Sequence, residues 1–334
     1  MVKRLLFSAI LLALGCVVSL FVCEALIRLV DPQPDVPRWF EEDEAYAYTL
    51  KKNFTQDYRF AGSDFVMKVQ TNTLGLRDKP WNPDHATACK RILFLGDSFV
   101  FGYGVNVEDR FDTRLSQLLK SQPALYWLVN GGVPGWGTLQ ESLFARNHFQ
   151  VFLPDLLVLV FCGNDPEDDA LFENGKMIFK EQGMGYFPGK EWLRRHSHLY
   201  RFVQRHTTSL RQAMLTGKEK STTDDKLFDE QSAAVLHEEG WLHSLKTIEQ
   251  LHAAFLDFNP HGQMILMATN PDHAVIRDHL ISLDNGKDLH FLDFSEDLAR
   301  IPVERQTLPY DRHWSVEVHT LVAENLYRLL KEIP

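Results

Sequence analysis

The sequence predicts a doubly wound α/β domain, three layers of helix, parallel sheet and helix, behind one N-terminal membrane helix. Three observations predict it. Short runs of uninterrupted apolar residues recur from residue 91 onward, helical stretches separate them, and one long charge-free segment stands apart at the N-terminus. A continuous apolar run bounded by turns marks a strand buried on both faces. Strands alternating with helices imply a parallel sheet covered on both sides.

The N-terminal segment comes first. Lys3 and Arg4 precede LLFSAILLALGCVVSLFVC, residues 5–23, which carries no charge. As a helix this run spans roughly 28 Å at about 1.5 Å per residue, close to the ~30 Å hydrocarbon core of a bilayer. A cleavable signal peptide usually has an apolar core of about 7–15 residues and a small-x-small exit. Here the core is longer, the best exit (Cys23-Glu24-Ala25) is poor, and neither Cys16 nor Cys23 follows a lipobox. An uncleaved signal anchor over residues 1–30 is expected, in the membrane through residues 5–27, with a cleaved signal peptide as the alternative. With Lys3 and Arg4 held on the cytoplasmic side, the rest of the chain is exported, periplasmic or extracellular.

Residues 31–39, DPQPDVPRW, hold three prolines and suit an extended linker. They open an N-terminal extension, residues 31–88, ahead of the main domain at 89–334. In that domain RILFLG (91–96) is the first strand, and a helix follows at 109–121 with Phe111, Leu115, Leu118 and Leu119 on one side. LYWLVN (125–130) is the second strand, followed by a helix at 139–149. DLLVLVF (155–161), QMILMAT (263–269) and LHFLDF (289–294) complete about five strands, and a helix at 316–331 closes a flavodoxin-like domain. Residues 166–259 form a helical insertion, with helix at 192–215, the polar segment GKEKSTTDDKLFDE, and helix again at 232–258. It follows the C-terminal end of a strand and is therefore placed to cap a site there.

The formal net charge of −10 repels phosphate backbones, so no nucleic-acid partner is expected. Cys89 precedes the first strand and Cys162 follows the third. As parallel strands these put the thiols roughly 20 Å apart at about 3.3 Å per residue, beyond the reach of a disulfide.

Chemistry concentrates at the strand ends. Gly96-Asp97-Ser98-Phe99 follows the first strand, where open parallel sheets bind ligands. NGGVPGWGT (130–138) ends the second strand in a loop whose backbone N–H groups approach a ligand without side chains intervening. It does not match the dinucleotide-binding fingerprint, and no cofactor is expected. CGNDPEDD (162–169) ends the third strand with an Asn able to donate, and YDRHWS (310–315) supplies Asp and His two residues apart. Each string is unspecific alone.

Together and in this order, GDSF, GVPGWGT, GND and DRHW resemble the four blocks of the SGNH/GDSL hydrolase superfamily. The resemblance runs over residues 72–330, includes TNTLGLRD and RILFLGDSFVFGYGV, and extends in particular to bacterial members with one N-terminal membrane helix. It implies Ser98 as nucleophile, His313 as general base and Asp311 as the carboxylate that orients it. It also implies an oxyanion hole of the Ser98 and Gly135 N–H groups and the Asn164 side chain. The residues suit these roles: a serine hydroxyl is a weak nucleophile until an imidazole takes its proton. The commoner family spacing is Asp-x-x-His; Asp311-Arg312-His313 departs from it, so Asp293 or Asp297 is a possible substitute. Val318 stands before His319 where a glycine is more usual, a difference of packing.

The resemblance implies serine-dependent hydrolysis of an ester, an esterase or O-deacetylase acting on an O-acylated glycan or lipid. An acyltransferase to a polysaccharide hydroxyl uses the same residues, and a non-catalytic glycan-binding or assembly subunit is a third reading. Trp136 and Trp314 flank the site, either to stack on a sugar or to pack. Asp97 is read as bracing the nucleophile turn. No metal site is expected: Asp165, Glu167, Asp168 and Asp169 complement a helix dipole, while His196, His198 and His206 lie on a solvated helix face.

Overall fold

A computed structural model describes residues 2–60, 63–82, 89–120, 126–175, 189–216, 238–271 and 273–333. The elements begin with α1 (Val2–Val30) and two hairpins, β1 (Phe40–Asp43) with β2 (Ala47–Leu50) and β3 (Thr55–Arg59) with β4 (Val66–Gln70). Then come β5 (Lys90–Gly96), the four-residue α2 (Ser98–Phe101), α3 (Phe111–Leu119) and β6 (Tyr126–Asn130). They are followed by α4 (Thr138–Phe152), β7 (Leu156–Phe161), α5 (Asp165–Glu173), α6 (Lys190–His196), α7 (His198–Thr216) and α8 (Glu238–Phe258). The chain ends with β8 (Gln263–Ala268), α9 (Ala274–Ile281), β9 (Leu289–Phe291), the short α10 (Ser295–Leu298) and α11 (Val303–Gln306), and α12 (Val316–Leu329).

By its contacts the chain forms two units. One holds Met1–Arg38, Tyr58–Val66 and Lys180–Thr222; the other holds Trp39–Asp57, Met67–Phe179 and Thr223–Pro334. In the first, α1 exposes its apolar side chains along its length and is long and apolar enough to cross a membrane. The expected single helix at 192–215 is two helices, because Ser197 leaves helical geometry and its Oγ caps α7 by accepting the Tyr200 N–H at 3.0 Å. The nearby histidines do local work. His198 Nδ1 accepts the Gln33 N–H, the His206 ring bonds the Phe202 carbonyl, and His196 packs on Trp192. Among the described residues no group of His, Cys, Asp or Glu is arranged to hold a metal. The segment GKEKSTTDDKLFDE lies outside the described residues.

The second unit is the α/β domain. Its five-stranded sheet has the order β6-β5-β7-β8-β9, every pair parallel, the doubly wound flavodoxin-like arrangement. In register, Ile92, Phe94 and Gly96 face Leu156, Val158 and Val160, and these face Gln263, Ile265 and Met267. The apolar members of this layer pack with Phe111, Leu115, Val318, Val322 and Leu326 of α3 and α12. On the other side, α8 packs on α4 and α5, with Phe255 against Phe149 and Trp241 against Phe161. The strand β9 is shorter than the predicted 289–294, since Asp293 accepts the Ser295 N–H and turns the chain into α10. Among the described residues no cysteine is in a disulfide.

The strand order reverses at β5, and the crevice where open sheets take ligands lies between β5 and β7. Two buried arginines hold the chain just beyond it. The Arg77 guanidinium donates to the carbonyls of Phe101, Gly102, Lys68 and Val105 at 2.7–3.0 Å. Arg110 donates to the Arg77 carbonyl and, in a fork, to Asp112 at 2.9 and 2.7 Å. Replacing Arg77 by Met takes a donor from each of four carbonyls, so a loss of about 3 kcal/mol or more is expected. That corresponds to a fall of roughly 6–12 °C in Tm for a domain of this size. Arg77→Lys is expected to recover little, since an ammonium cannot fork to four oxygens; thermal melting of the two variants checks both.

Candidate active site

The turn after β5 builds the site. Gly96 has φ +157°, and a Cβ there would fall 2.3 Å from the Val100 Cγ2, so only glycine fits. Asp97 caps α2, its Oδ1 accepting the Phe99 N–H at 3.0 Å. That cap holds Ser98 at the start of the helix, its hydroxyl 2.7 Å from His313 Nε2 and 3.3 Å from Asp97 Oδ2. Braced turn and reactive-looking hydroxyl are thus one construction.

The His313 ring bonds through Nδ1 to Asp311 Oδ1. A carboxylate at Nδ1 keeps the proton there and leaves Nε2 free to accept from the serine. The same Asp311 oxygen accepts the His313 backbone N–H at 2.9 Å. This closes a tight turn in which an aspartate two residues before the histidine reaches its ring, so the short Asp-x-His spacing is sufficient. Asp293 is committed to the Ser295 N–H, and Asp297 to Arg300 and Arg328. The ring lies against Phe99 and Tyr103, with centroids 4.8 and 5.0 Å away. The other nearby histidine, His319, is stacked on Phe111, and burial pushes it down to about 3.

The glycine-rich loop after β6 continues the sheet's hydrogen bonding, with Gly131 N–H donating to the Phe94 carbonyl and Val133 N–H to that of Gly96. Gly135 has φ +78°, and a Cβ there would meet the Tyr48 hydroxyl at 2.8 Å. Tyr48 Oη donates to the Pro134 carbonyl at 3.0 Å, and Trp136 Nε1 to the Tyr48 carbonyl at 3.0 Å. The hairpin β1–β2 therefore clamps the loop, a role its sequence did not signal. Asn164, three residues past β7 at the N-cap of α5, donates Nδ2–H to Asp168 Oδ2 at 2.6 Å.

Two expectations need correction. Trp136 is fully buried, and Trp314 is 4% exposed, packed among Phe99, Phe111 and Phe294 with its Nε1 on the Thr269 carbonyl. Neither offers a ring face to a sugar. The acids of α5 do more than complement a dipole. Asp165 accepts from Thr138 Oγ1 and the Cys162 N–H, and Asp169 from the Leu139 N–H and Ser244 Oγ. They tie α5 to the starts of α4 and α8.

Asp97, Asp165, Asp168 and Asp169 share this interior with Glu141 of α4. Glu141 is buried with neither carboxylate oxygen bonded among the described residues. Burial first, then the charges of Asp97, Asp169 and Asp168, push it well above the usual carboxylate range. Burial likewise raises Asp97, and burial with the charge of Glu141 raises Asp165. Burial lifts Asp168 to about 7 against the pull of the Asn164 hydrogen bond.

No protein-family model and no curated protein matches the chain. Solved structures with a similar fold include a family 3 carbohydrate esterase from Clostridium thermocellum, 14% identical, covering 72% of this chain and 94% of that one at TM-score 0.42. TesA is 12% identical over 73% and 99% at TM-score 0.44. The psychrotrophic esterase EstA from Pseudoalteromonas sp. is 12% identical over 73% and 97% at TM-score 0.41.

The raised Asp168 makes a pH prediction. A carboxylate whose folded pKa lies above its unfolded value of about 3.9 favours folding below that value, and the benefit is lost as pH rises through about 7. Asp168→Asn retains an acceptor for Asn164 and has no charge to bury. It is expected to lose less stability than wild type between about pH 4 and pH 8. At pH 8 it should melt at least ~3 °C higher, the change that about 1 kcal/mol produces. Melting curves across that range check it.

Proposed function

We propose that the chain is a membrane-anchored serine hydrolase of the SGNH/GDSL type, cleaving carboxylic esters through an acyl-serine intermediate. One observation carries the reading: the Ser98 hydroxyl lies 2.7 Å from His313 Nε2, whose Nδ1 is bonded to Asp311. In this reading Ser98 Oγ attacks the acyl carbonyl while its proton passes to Nε2, and Asp311 stabilises the imidazolium that forms. The carbonyl oxygen, now negative, is received by the Ser98 and Gly135 N–H groups and by Asn164. The Asn164 amide has two N–H bonds, so donation to Asp168 leaves one for the oxyanion. His313 returns the proton to the departing alkoxide, then takes one from water, which attacks the acyl-serine and frees the acid.

The choice of an O-acylated glycan or lipid as substrate rests on the family resemblance and on α1, which would tether the enzyme at a membrane. Retention of α1 as an anchor, and export of the domain, rest on the length of its apolar run and on Lys3 and Arg4.

The test uses the full chain in detergent, with a fluorophosphonate probe and p-nitrophenyl acetate. Wild type is expected to label and turn over. Ser98→Ala should lose all labelling, and Ser98→Ala and His313→Ala each about 10⁴-fold or more in kcat. Asp311→Asn should fall by about 10³–10⁴-fold through loss of the correct tautomer. A folded wild type that neither labels nor hydrolyses the ester would sink the proposal.

A further inference from the structure

The first unit contains a construction that ester chemistry does not use. The charge-free run of α1 ends at Cys23, and Glu24 is the first charged residue after Arg4. Its carboxylate accepts from Ser197 Oγ at 2.7 Å and from the His198 and Leu199 backbone N–H groups at 2.9 and 2.8 Å. One helix turn later, Arg28 bonds Glu24 through Nε and donates from Nη2 to the His196 carbonyl at 2.5 Å. Beyond the helix, the Gln33 N–H donates to His198 Nδ1, and Arg201 donates to the Pro34 carbonyl at 2.6 Å. The junction of α6 and α7 is therefore bolted to the end of α1's apolar run.

That position has a physical meaning if α1 crosses a bilayer, as proposed above. The run of residues 5–23 is about as long as the hydrocarbon core is thick, so Glu24 emerges at the headgroup level. Hydrogen bonds of 2.7–2.9 Å bring residues 197–199 to the same level. The helix α6 has seven residues and is about 10 Å long, too short to carry its side chains far from that surface.

Composition matches the location. Residues 190–216 hold six basic residues and one acidic one, in a chain whose net charge is −10. Trp192, Arg195 and His196 are exposed on one face of α6, at spacings i, i+3 and i+4. Trp192 is 63% exposed, whereas Trp39, Trp136, Trp241 and Trp314 are at most 4% exposed. Val203 and Arg205 are exposed on α7. An exposed indole beside basic side chains, pinned where a membrane helix surfaces, is the chemistry of a bilayer interface.

We propose that α6 and the first turns of α7 lie on the membrane where α1 emerges, with Arg195 and Arg205 on anionic phospholipid headgroups and Trp192 in the interface. The proposal rests on α1 being retained and spanning the bilayer. It also gives α1 a second role, since Glu24 caps α7 from within the anchor.

The test reconstitutes the full chain into vesicles of phosphatidylcholine, or of phosphatidylcholine with about one-quarter phosphatidylglycerol, and follows amide hydrogen exchange of residues 190–206. Anionic lipid is expected to slow exchange there about fivefold or more, the effect of one basic residue at a charged surface. The Arg195→Glu/Arg205→Glu variant should lose the slowing. Alkaline carbonate washing runs in parallel. Protein that stays in the vesicles while exchange is the same in both lipids overturns the interfacial site alone. Protein washed off overturns the spanning helix and the site with it. The wild-type comparison between lipids decides the matter even if the variant folds poorly.

Discussion

The register of the parallel ladder is the constraint on which the site depends. Gly96 of β5 pairs with Val160 of β7, and Phe94 with Asn130 of β6, so three strands end at nearly one level. The loops that leave them carry Ser98, Gly135 and Asn164. Backbone bonds from Gly131 to Phe94 and from Val133 to Gly96 prolong the ladder past the end of β6. The glycine-rich loop is thereby part of the sheet's hydrogen bonding, although it is not strand. A slip of one residue in β5 would turn Ile92 and Phe94 out of their layer and carry Ser98 away from the imidazole.

Around this edge the protein tolerates an unusual density of buried ionisable groups, and it handles the two signs differently. The cations are solvated by protein: Arg77 by four carbonyls, Arg110 by a carbonyl and the Asp112 fork. Burial and the neighbouring Arg110 lower Arg77 only to about 9, which leaves it charged at neutral pH. The acids Asp97, Glu141, Asp165, Asp168 and Asp169 lie in one another's fields, and burial raises each of them. For Glu141, with no partner on either oxygen among the described residues, taking up a proton is the remaining way to avoid a bare buried charge.

The sheet was legible because a strand buried on both faces must be written as an unbroken apolar run, and RILFLG and LLVLVF can be little else. Where side chains rather than periodicity decide, the reading failed. Ser197 inside a basic helical stretch looks like one more polar residue until it is seen to cap α7. The sequence neighbourhood of Trp136 and Trp314 pointed to the site but not to which way an indole faces, and both turn inward. Tyr48 lies 86 residues from the proline it bonds, and Arg77 is 24 or 25 from the carbonyls of Phe101 and Gly102. Only the folded chain reveals such contacts. That Ser98, Asp311 and His313 come within hydrogen-bonding reach of one another, by contrast, was expected from the short blocks that hold them, whatever the distance between those blocks in the chain.

That distance has a consequence in time. The serine and the imidazole that bonds it are separated by 215 positions. During synthesis the hydroxyl is made long before its partner, which stands just ahead of α12. A nascent chain that has not yet reached His313 therefore holds a serine hydroxyl at residue 98 without that imidazole beside it. The bond between them can form only once synthesis has passed residue 313, so any chemistry proposed for the hydroxyl begins there.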